Sequence, residues 1–436
     1  MDYMEAISYI NSIESYGSKL GLDNIARLLE RMDNPQDKLK FVHVAGTNGK
    51  GSTVAYLSNI LTCSRYRTGT FTSPFINCFE EQIKIDNNMI DEDSLAEIVD
   101  YISKIISKMV SDNHPHPTQF EVTCAIAFEF FYRKHCDIVV LEVGLGGRED
   151  ATNVIGTPLA AVITTISLDH TDRLGKTLLD IAYHKAGIIK TKTDVVLYPQ
   201  NQDVYQYFTK VCIEMGCLQH DVNTDRLNKN FADFNGQQFS FEDRKDLRIS
   251  MLGQHQMLNA ATAIKTCDVL NSKGFDITEN AIYEGLIKTN WPGRLEIIST
   301  KPIILVDGAH NIEGAIALKN ALDEYFNDIQ KIYIVGFLRD KQYIDITRTI
   351  ACKDDYIITI TPKNERAMNS HDLSCVLKNE YTNIIDGINA ENALKVALMH
   401  ADNQNKMICV FGSLYLQNDI KVAWNNIHGR SQGNGY

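Results

Sequence analysis

Apolar positions along the chain switch between two periods. Over 3–13 and 23–32 they recur at helical spacing, with Ile25, Leu28 and Leu29 on one face, and Asn34-Pro35 closes the second stretch. Phe41-Val42-His43-Val44-Ala45 is then a short run rich in β-branched and aromatic residues that predicts a buried strand. Further helical patterns are predicted over 53–61, 91–111, 120–134 and 178–189, and strands over 67–72, 136–143 and 160–166. Such alternation of strand and helix predicts an α/β fold with a parallel sheet. From 228 to 252 the chain turns polar and hairpin-like around Phe234-Asn235-Gly236, and Gly253-Gln254-His255-Gln256 opens another helix. Beyond Trp291-Pro292-Gly293-Arg294, strands predicted at 303–306, 332–335, 356–361 and 407–411 alternate with helical patterns. Two domains are therefore expected, a large one over 1–296 and a smaller α/β domain over 297–436.

The junction after the first buried strand carries the clearest chemical signal. Val44-Ala45-Gly46-Thr47-Asn48-Gly49-Lys50-Gly51-Ser52-Thr53 places three glycines between a strand and a helix. Glycines let backbone N–H groups approach phosphate oxygens closely, and the helix start adds partial positive charge. Lys50 would reach the β- and γ-phosphates, and Ser52 or Thr53 could meet Mg²⁺. Val44 stands where the general phosphate-loop pattern has its first glycine, and Gly51 separates Lys50 from the hydroxyl. A glycine-rich turn at a strand–helix junction is the plainer alternative.

Composition narrows the classes. With 44% hydrophobic and 22% charged residues the chain is globular, and its formal charge of −12 argues against a nucleic-acid partner. No apolar run approaches the roughly 20 residues of a membrane span. The start Met1-Asp2-Tyr3-Met4-Glu5 lacks the basic and apolar regions of a signal peptide, which predicts a cytoplasmic protein. The ten cysteines are scattered without a Cys-x-x-Cys pair, as reduced thiols are.

Four polar groups join the loop as candidates: Ser73, Glu142, His170 and Lys185 stand at predicted strand ends or just beyond them. Ligands of open parallel sheets bind outside the carboxyl ends of the strands, so these groups could converge on the loop. Glu142 follows Val139-Val140-Leu141, where a carboxylate needs a partner such as Mg²⁺ or a buried cation. Gly144-Leu145-Gly146-Gly147 invites a dinucleotide-binding reading, but Glu149 occupies the third glycine position of that fingerprint.

Taken together, the loop, Thr72-Ser73-Pro74-Phe75, Glu142-Val143-Gly144-Leu145-Gly146-Gly147-Arg148 with Asp150-Ala151-Thr152-Asn153, Lys185-Ala186-Gly187-Ile188-Ile189-Lys190, Trp291-Pro292-Gly293-Arg294 and Asp307-Gly308-Ala309-His310-Asn311 resemble the folylpolyglutamate synthase and dihydrofolate synthase family of the Mur ligase superfamily. The resemblance spans nearly the whole chain. It implies a Mur ligase-like fold, with a parallel-sheet phosphate-loop ATPase domain and a Rossmann-like C-terminal domain. The implied reaction adds L-glutamate to dihydropteroate, to a reduced folate or to both, through an acyl phosphate, at the expense of ATP. Thr47, Asn48, Gly49, Lys50, Gly51 and Ser52 would cradle the phosphates. Ser73 and Glu142 would hold one Mg²⁺; Glu142, His170 and Lys185, the last as a carbamate, would serve a second. The resemblance implies that Asn259 meets the adenine, Arg294 the phosphates and Asp307 the ribose side, with His310 near the incoming glutamate. The pteroyl end would lie by Thr118, Gln119, Phe120 and Glu121 and by Glu149, Asp150 and Ala151. Gln82 departs from the pattern, standing where a basic residue is usual. A monomer is expected. Competing readings are a Mur-type ligase of cell-wall precursors and a non-catalytic ATP-binding regulator.

Overall fold

The first buried run is strand β1 (Phe41–Ala45), with all five residues buried. Side chains alternate along a strand, so Phe41, His43 and Ala45 share one face and Val42 and Val44 the other. The chain is described here from a computed structural model covering residues 1–13, 21–401 and 406–432. Seven further strands complete the sheet: β2 (Thr68–Phe71), β3 (Ile83–Ile85), β4 (Asn88–Met89), β5 (Ile138–Glu142), β6 (Ala160–Ile163), β7 (Asp194–Leu197) and β8 (Leu218–Asp221), in the order β4-β3-β2-β5-β1-β6-β7-β8. β1 lies between β5 and β6, parallel to both, with Val44 opposite Glu142 and Val162. The pattern predicts a parallel sheet, and the sheet departs from that at one margin, where β3 pairs antiparallel with both β2 and β4. Short strands joined by the turn Asp86-Asn87 carry too few residues to show a period.

A three-stranded sheet follows, from β9 (Leu227–Asp233), β10 (Gly236–Phe241) and β11 (Arg244–Ile249) in the order β11-β10-β9. The C-terminal sheet contains β12 (Glu296–Thr300), β13 (Ile303–Val306), β14 (Gln330–Val335), β15 (Tyr356–Ile360), β16 (Asn383–Ile388) and β17 (Lys406–Phe411), ordered β12-β13-β17-β14-β15-β16. Only its edge strand β12 is antiparallel to its neighbour. The chain divides into two compact units, Met1–Asn230 with Gln238–Ile249 and Gln256–Thr289, and Phe231–Gln237 with Ser250–His255 and Asn290–Tyr436.

In the first unit the helix Lys50–Cys63 follows β1. Nine of its residues from Ser52 to Leu61 are buried, so it lacks a solvent face and shows little amphipathic contrast. One side takes the helix Glu279–Lys288, where Gly285 allows the two backbones to meet: a Cβ there would lie 2.5 Å from the Ile60 Cα. Among the described residues no helix is long and apolar enough to cross a membrane, and each of the cysteines is free.

Because Gly285 meets backbone rather than a movable side chain, Gly285→Ala is expected to lower stability by about 1–3 kcal/mol, as overpacked sites do. Gly156→Ala, with nothing within 4 Å of the added carbon, should leave it unchanged. Denaturant unfolding of the two variants checks this contrast.

Candidate active site

The loop 46–49 is held on one side by the segment after β6. Thr47 N–H donates to the Thr165 carbonyl (2.7 Å), and Thr164 Oγ1 donates to the Asn48 carbonyl (2.7 Å). Thr47 Oγ1 donates to the Ser167 carbonyl and accepts from the Ser167 N–H, each at 3.1 Å. A Cβ on Gly46 would fall 1.7 Å from Thr164 Oγ1, so only glycine fits there. Gly49 caps the helix at φ 84°, in the left-handed region, and a Cβ on it would meet Asn259 Oδ1 at 2.6 Å. Asn259 therefore stands against the loop.

Behind the loop runs a buried polar ladder. Asn259 Nδ2 donates to Gln256 Oε1 (3.1 Å), and Gln256 Nε2 donates to Ser52 Oγ (3.2 Å). All three residues are almost wholly excluded from solvent, which is tolerable because each is partnered. Sequence reasoning gave Gln256 no role; its signal was a polar residue one turn before Asn259 on the same helix. Ser52 is thus engaged within the protein, while Ser73 lies beside Glu142, whose Oε2 accepts the Ser73 N–H at 3.4 Å.

Charges gather at the same place. Lys50 Nζ donates to the Gly46 and Thr47 carbonyls (3.1 and 3.2 Å) and lies 4.0 Å from Glu142 Oε1. Lys185 ends the helix Leu178–Lys185, and its buried Nζ donates to the same Gly46 carbonyl at 2.7 Å. Burial, and then the nearby Lys50, hold the Lys185 amine well below the ordinary lysine pKa, against the pull of Asp169 and Asp150. That helix sits where it does because Gly147 and Gly187 let backbones touch: a Cβ on Gly187 would meet the Arg148 Cα at 2.3 Å. His170 precedes the short helix Thr171–Leu174 in a left-handed conformation (φ 49°), its N–H bonded to Asp169 Oδ1. Among the described residues no three His, Cys, Asp or Glu side chains are gathered for a metal. Mg²⁺ does not require such a cage, since it keeps waters and uses one or two carboxylates plus substrate phosphates.

The predicted acceptor-side residues divide by role. Thr118 and Glu121 cap each other at the start of the helix Gln119–Arg133: Glu121 Oε2 accepts from Thr118 N (2.7 Å) and Oγ1 (2.8 Å). Gln119 Nε2 donates to the Ile10 carbonyl. The cap fixes half-buried Phe120, whose ring packs on the Gly144 backbone, at a point where a Cβ would be 2.4 Å away, and 6.0 Å from the ring of Phe71. Glu149 is exposed, whereas Ala151 and Asp150 are buried. Burial raises the Asp150 pKa, and its carboxylate takes the Leu145 N–H (2.7 Å), the Thr152 N–H (3.1 Å) and the Thr152 hydroxyl. Thr152 Oγ1 in turn lies 2.9 Å from Nε2 of His43, a fully buried residue of β1 that sequence reasoning passed over as part of an apolar strand. Gln82 is also buried, its side-chain amide donating to the Phe79 carbonyl and its backbone carbonyl accepting from the Thr72 N–H.

In the second unit, Asp307 follows β13. Its two carboxylate oxygens accept the Leu295 and Ala309 N–H groups, each at 2.8 Å, and so fasten the segment containing Arg294 to the turn containing His310. A Cβ on Gly308 would lie 2.3 Å from Leu414 Cδ2 and 2.6 Å from an Arg294 guanidinium nitrogen, so both side chains pack close to that glycine. His310 Nδ1 bonds to the Gly308 carbonyl at 2.8 Å.

The family model described as Mur ligase middle domain matches residues 44–267, and that described as Mur ligase, glutamate ligase domain matches 293–414. The dihydrofolate synthase/folylpolyglutamate synthase of Bacillus subtilis is 33% identical over 96% of this chain and 98% of its own length. The folylpolyglutamate synthase of Lacticaseibacillus casei is 32% identical over 97% and 98%. Among solved structures, the Mycobacterium tuberculosis folylpolyglutamate synthase complexed with ADP and AMPPCP superposes with a TM-score of 0.87 at 26% identity, covering 98% of this chain and 99% of that one. The chain belongs to the folylpolyglutamate synthase/dihydrofolate synthase family.

His43 also gives the fold a pH dependence. Burial, reinforced by Lys190, depresses its pKa from 6.5 to about 3. The unfolded chain thus takes up a proton near pH 6.5 that the folded chain refuses until about pH 3, so the stabilisation is complete above pH 6.5 and is lost as pH falls through that window. Denaturant unfolding at pH 7, 6 and 5 should show stability falling by at most a few kcal/mol on this account, with a flatter profile in His43→Gln.

Proposed function

We propose that this chain is an ATP-dependent ligase joining the amine of L-glutamate to a carboxylate of a pteroyl acceptor, namely dihydropteroate, a reduced folate, or both. The reading is carried by one observation: in a chain of this family, Lys50 and Lys185 converge on the Gly46 carbonyl beside the buried Glu142. A carboxylate is a poor electrophile at neutral pH, so it must first be activated. An acceptor carboxylate oxygen attacks the γ-phosphorus of ATP, the bond to the β–γ bridging oxygen breaks, and ADP departs. The glutamate nitrogen then attacks the acyl carbon; phosphate leaves with the bonding electrons and the nitrogen loses its proton. Positioning and charge neutralisation supply most of the catalysis in such transfers.

In this scheme Thr47, Asn48, Gly49, Gly51 and Ser52 form the phosphate cradle and Lys50 bridges to the phosphates. Glu142 and the Ser73 hydroxyl offer hard oxygen donors that suit Mg²⁺, which when bound neutralises charge building on the phosphates. Lys185 is pressed by burial towards the neutral amine, the form that can attack CO₂ and lose a proton to become a carbamate. As a carbamate it would join Glu142 and His170 at a second metal position. Asn259 would serve the adenine, Arg294 the phosphates, Asp307 the ribose, and His310 the glutamate. Phe120 would offer a face to the pterin, with Thr118, Gln119, Glu121, Glu149, Asp150 and Ala151 around it. The enzyme would work as a cytoplasmic monomer, without nucleic acid or membrane.

Incubation with ATP, Mg²⁺ and radiolabelled glutamate, with dihydropteroate and tetrahydrofolate offered separately, should yield a glutamylated product and one phosphate per amide formed. No product from either acceptor overturns the reading. Lys50→Met should lower turnover on the order of a hundredfold or more, as loss of a charge-stabilising donor does. Carbon-13 bicarbonate should label Lys185, and the carbamate signal should vanish in Lys185→Met; an unlabelled wild-type protein rules the carbamate out.

A further inference from the structure

Three side chains outside the phosphate loop form a buried line from β1 to the glycine loop after β5. His43 and Thr152 have no exposed surface, and Asp150 keeps only 4% of its own. His43 Nε2 and Thr152 Oγ1 are 2.9 Å apart, and the Thr152 hydroxyl bonds to Asp150 Oδ1. The direction of each bond follows from valence. Asp150 Oδ1 also accepts the Thr152 N–H, which marks it as the acceptor, so the Thr152 hydroxyl donates to it and must accept from His43. His43 therefore carries its proton on Nε2, which leaves Nδ1 as a bare lone pair. Among the described residues Nδ1 indeed has no partner.

An imidazole in the middle of a central strand, satisfied on one nitrogen only, is a costly way to fill a core position. An apolar residue of similar size would suit that position better on packing grounds alone. The far end of the line explains what the imidazole does. Asp150 Oδ2 holds the Leu145 N–H, and Leu145 adjoins Gly144, on whose backbone the Phe120 ring rests. Rotation of the Asp150 carboxylate would release that loop and, with it, the seat of Phe120.

We propose that His43 and Thr152 are positioning residues for the pteroyl acceptor: they lock the Asp150 carboxylate in the rotation that holds the glycine loop against Phe120. This rests on the acceptor side lying where the proposed function puts it. The strand that leads into the phosphate loop thereby also sets the geometry of the acceptor side.

Four variants test it. Thr152→Val and His43→Leu remove the line; Thr152→Ser keeps the hydroxyl and His43→Gln keeps a donor. The first two should raise KM for the pteroyl acceptor about tenfold, the size expected when a bond to a charged group is lost, and leave KM for ATP within about twofold. The second two should stay near wild type. Equal rises in both KM values, no change in either, or failure of Thr152→Ser to restore the acceptor KM overturns the proposal. So does a Thr152→Val chain that does not fold, since a hydroxyl that only orients Asp150 is dispensable for folding; if His43→Leu alone fails to fold, the Thr152 pair decides. Wild-type protein that glutamylates neither acceptor refutes the functional reading, whereas active wild type with unresponsive variants refutes this inference alone.

Discussion

One carbonyl oxygen, that of Gly46, accepts hydrogen bonds from two lysine side chains. Two like charges drawn to a single acceptor repel, and the repulsion can be relieved in only a few ways. An anion can enter the loop, one amine can give up its proton, or a carboxylate can stand nearby. The site is prepared for all three: glycines open the loop, burial favours neutral Lys185, and Glu142 lies at the end of β5. Much of the first unit can be read as support for this point. Thr164 and Thr165 fix the loop from one side, the Ser52–Gln256–Asn259 ladder braces it from behind, and Gly147 and Gly187 admit the helix that delivers Lys185.

What could be read in the sequence follows from how local its causes are. β1, the loop and the helix after it were legible because a buried strand, a glycine turn and a helix start each leave a short-range pattern. Glu142 stood out because a charge in an apolar run demands a reason. The β3–β4 hairpin did not, being too short to carry a period, and β7, β8, β12 and β16 were missed as well. β16 owes its place to pairing with β15 and leaves most of its residues half-buried.

The site divides along the same line. Thr118, Glu121, Asp150 and Asp307 were named as ligand-side residues, and the structure shows each committed to backbone N–H groups or to a neighbour. A motif marks a position under constraint, without saying whether the constraint is contact or scaffolding. His43 and Gln256 teach the converse. Their chemistry is set by partners 109 and 204 residues away, and no window of sequence contains both ends of such a bond.

The hairpin that interrupts the parallel order also determines how the large sheet ends. A strand at a sheet margin exposes unpaired backbone groups that another chain can adopt. Here that margin is β4, only two residues long and exposed. At the opposite margin, β8 carries Gln219, His220 and Asp221, and His220 is tied inward to Asp194. Neither end presents a long, flat, apolar template, so the sheet that carries Lys50 and Glu142 at its strand ends is poorly suited to growing sideways into aggregates.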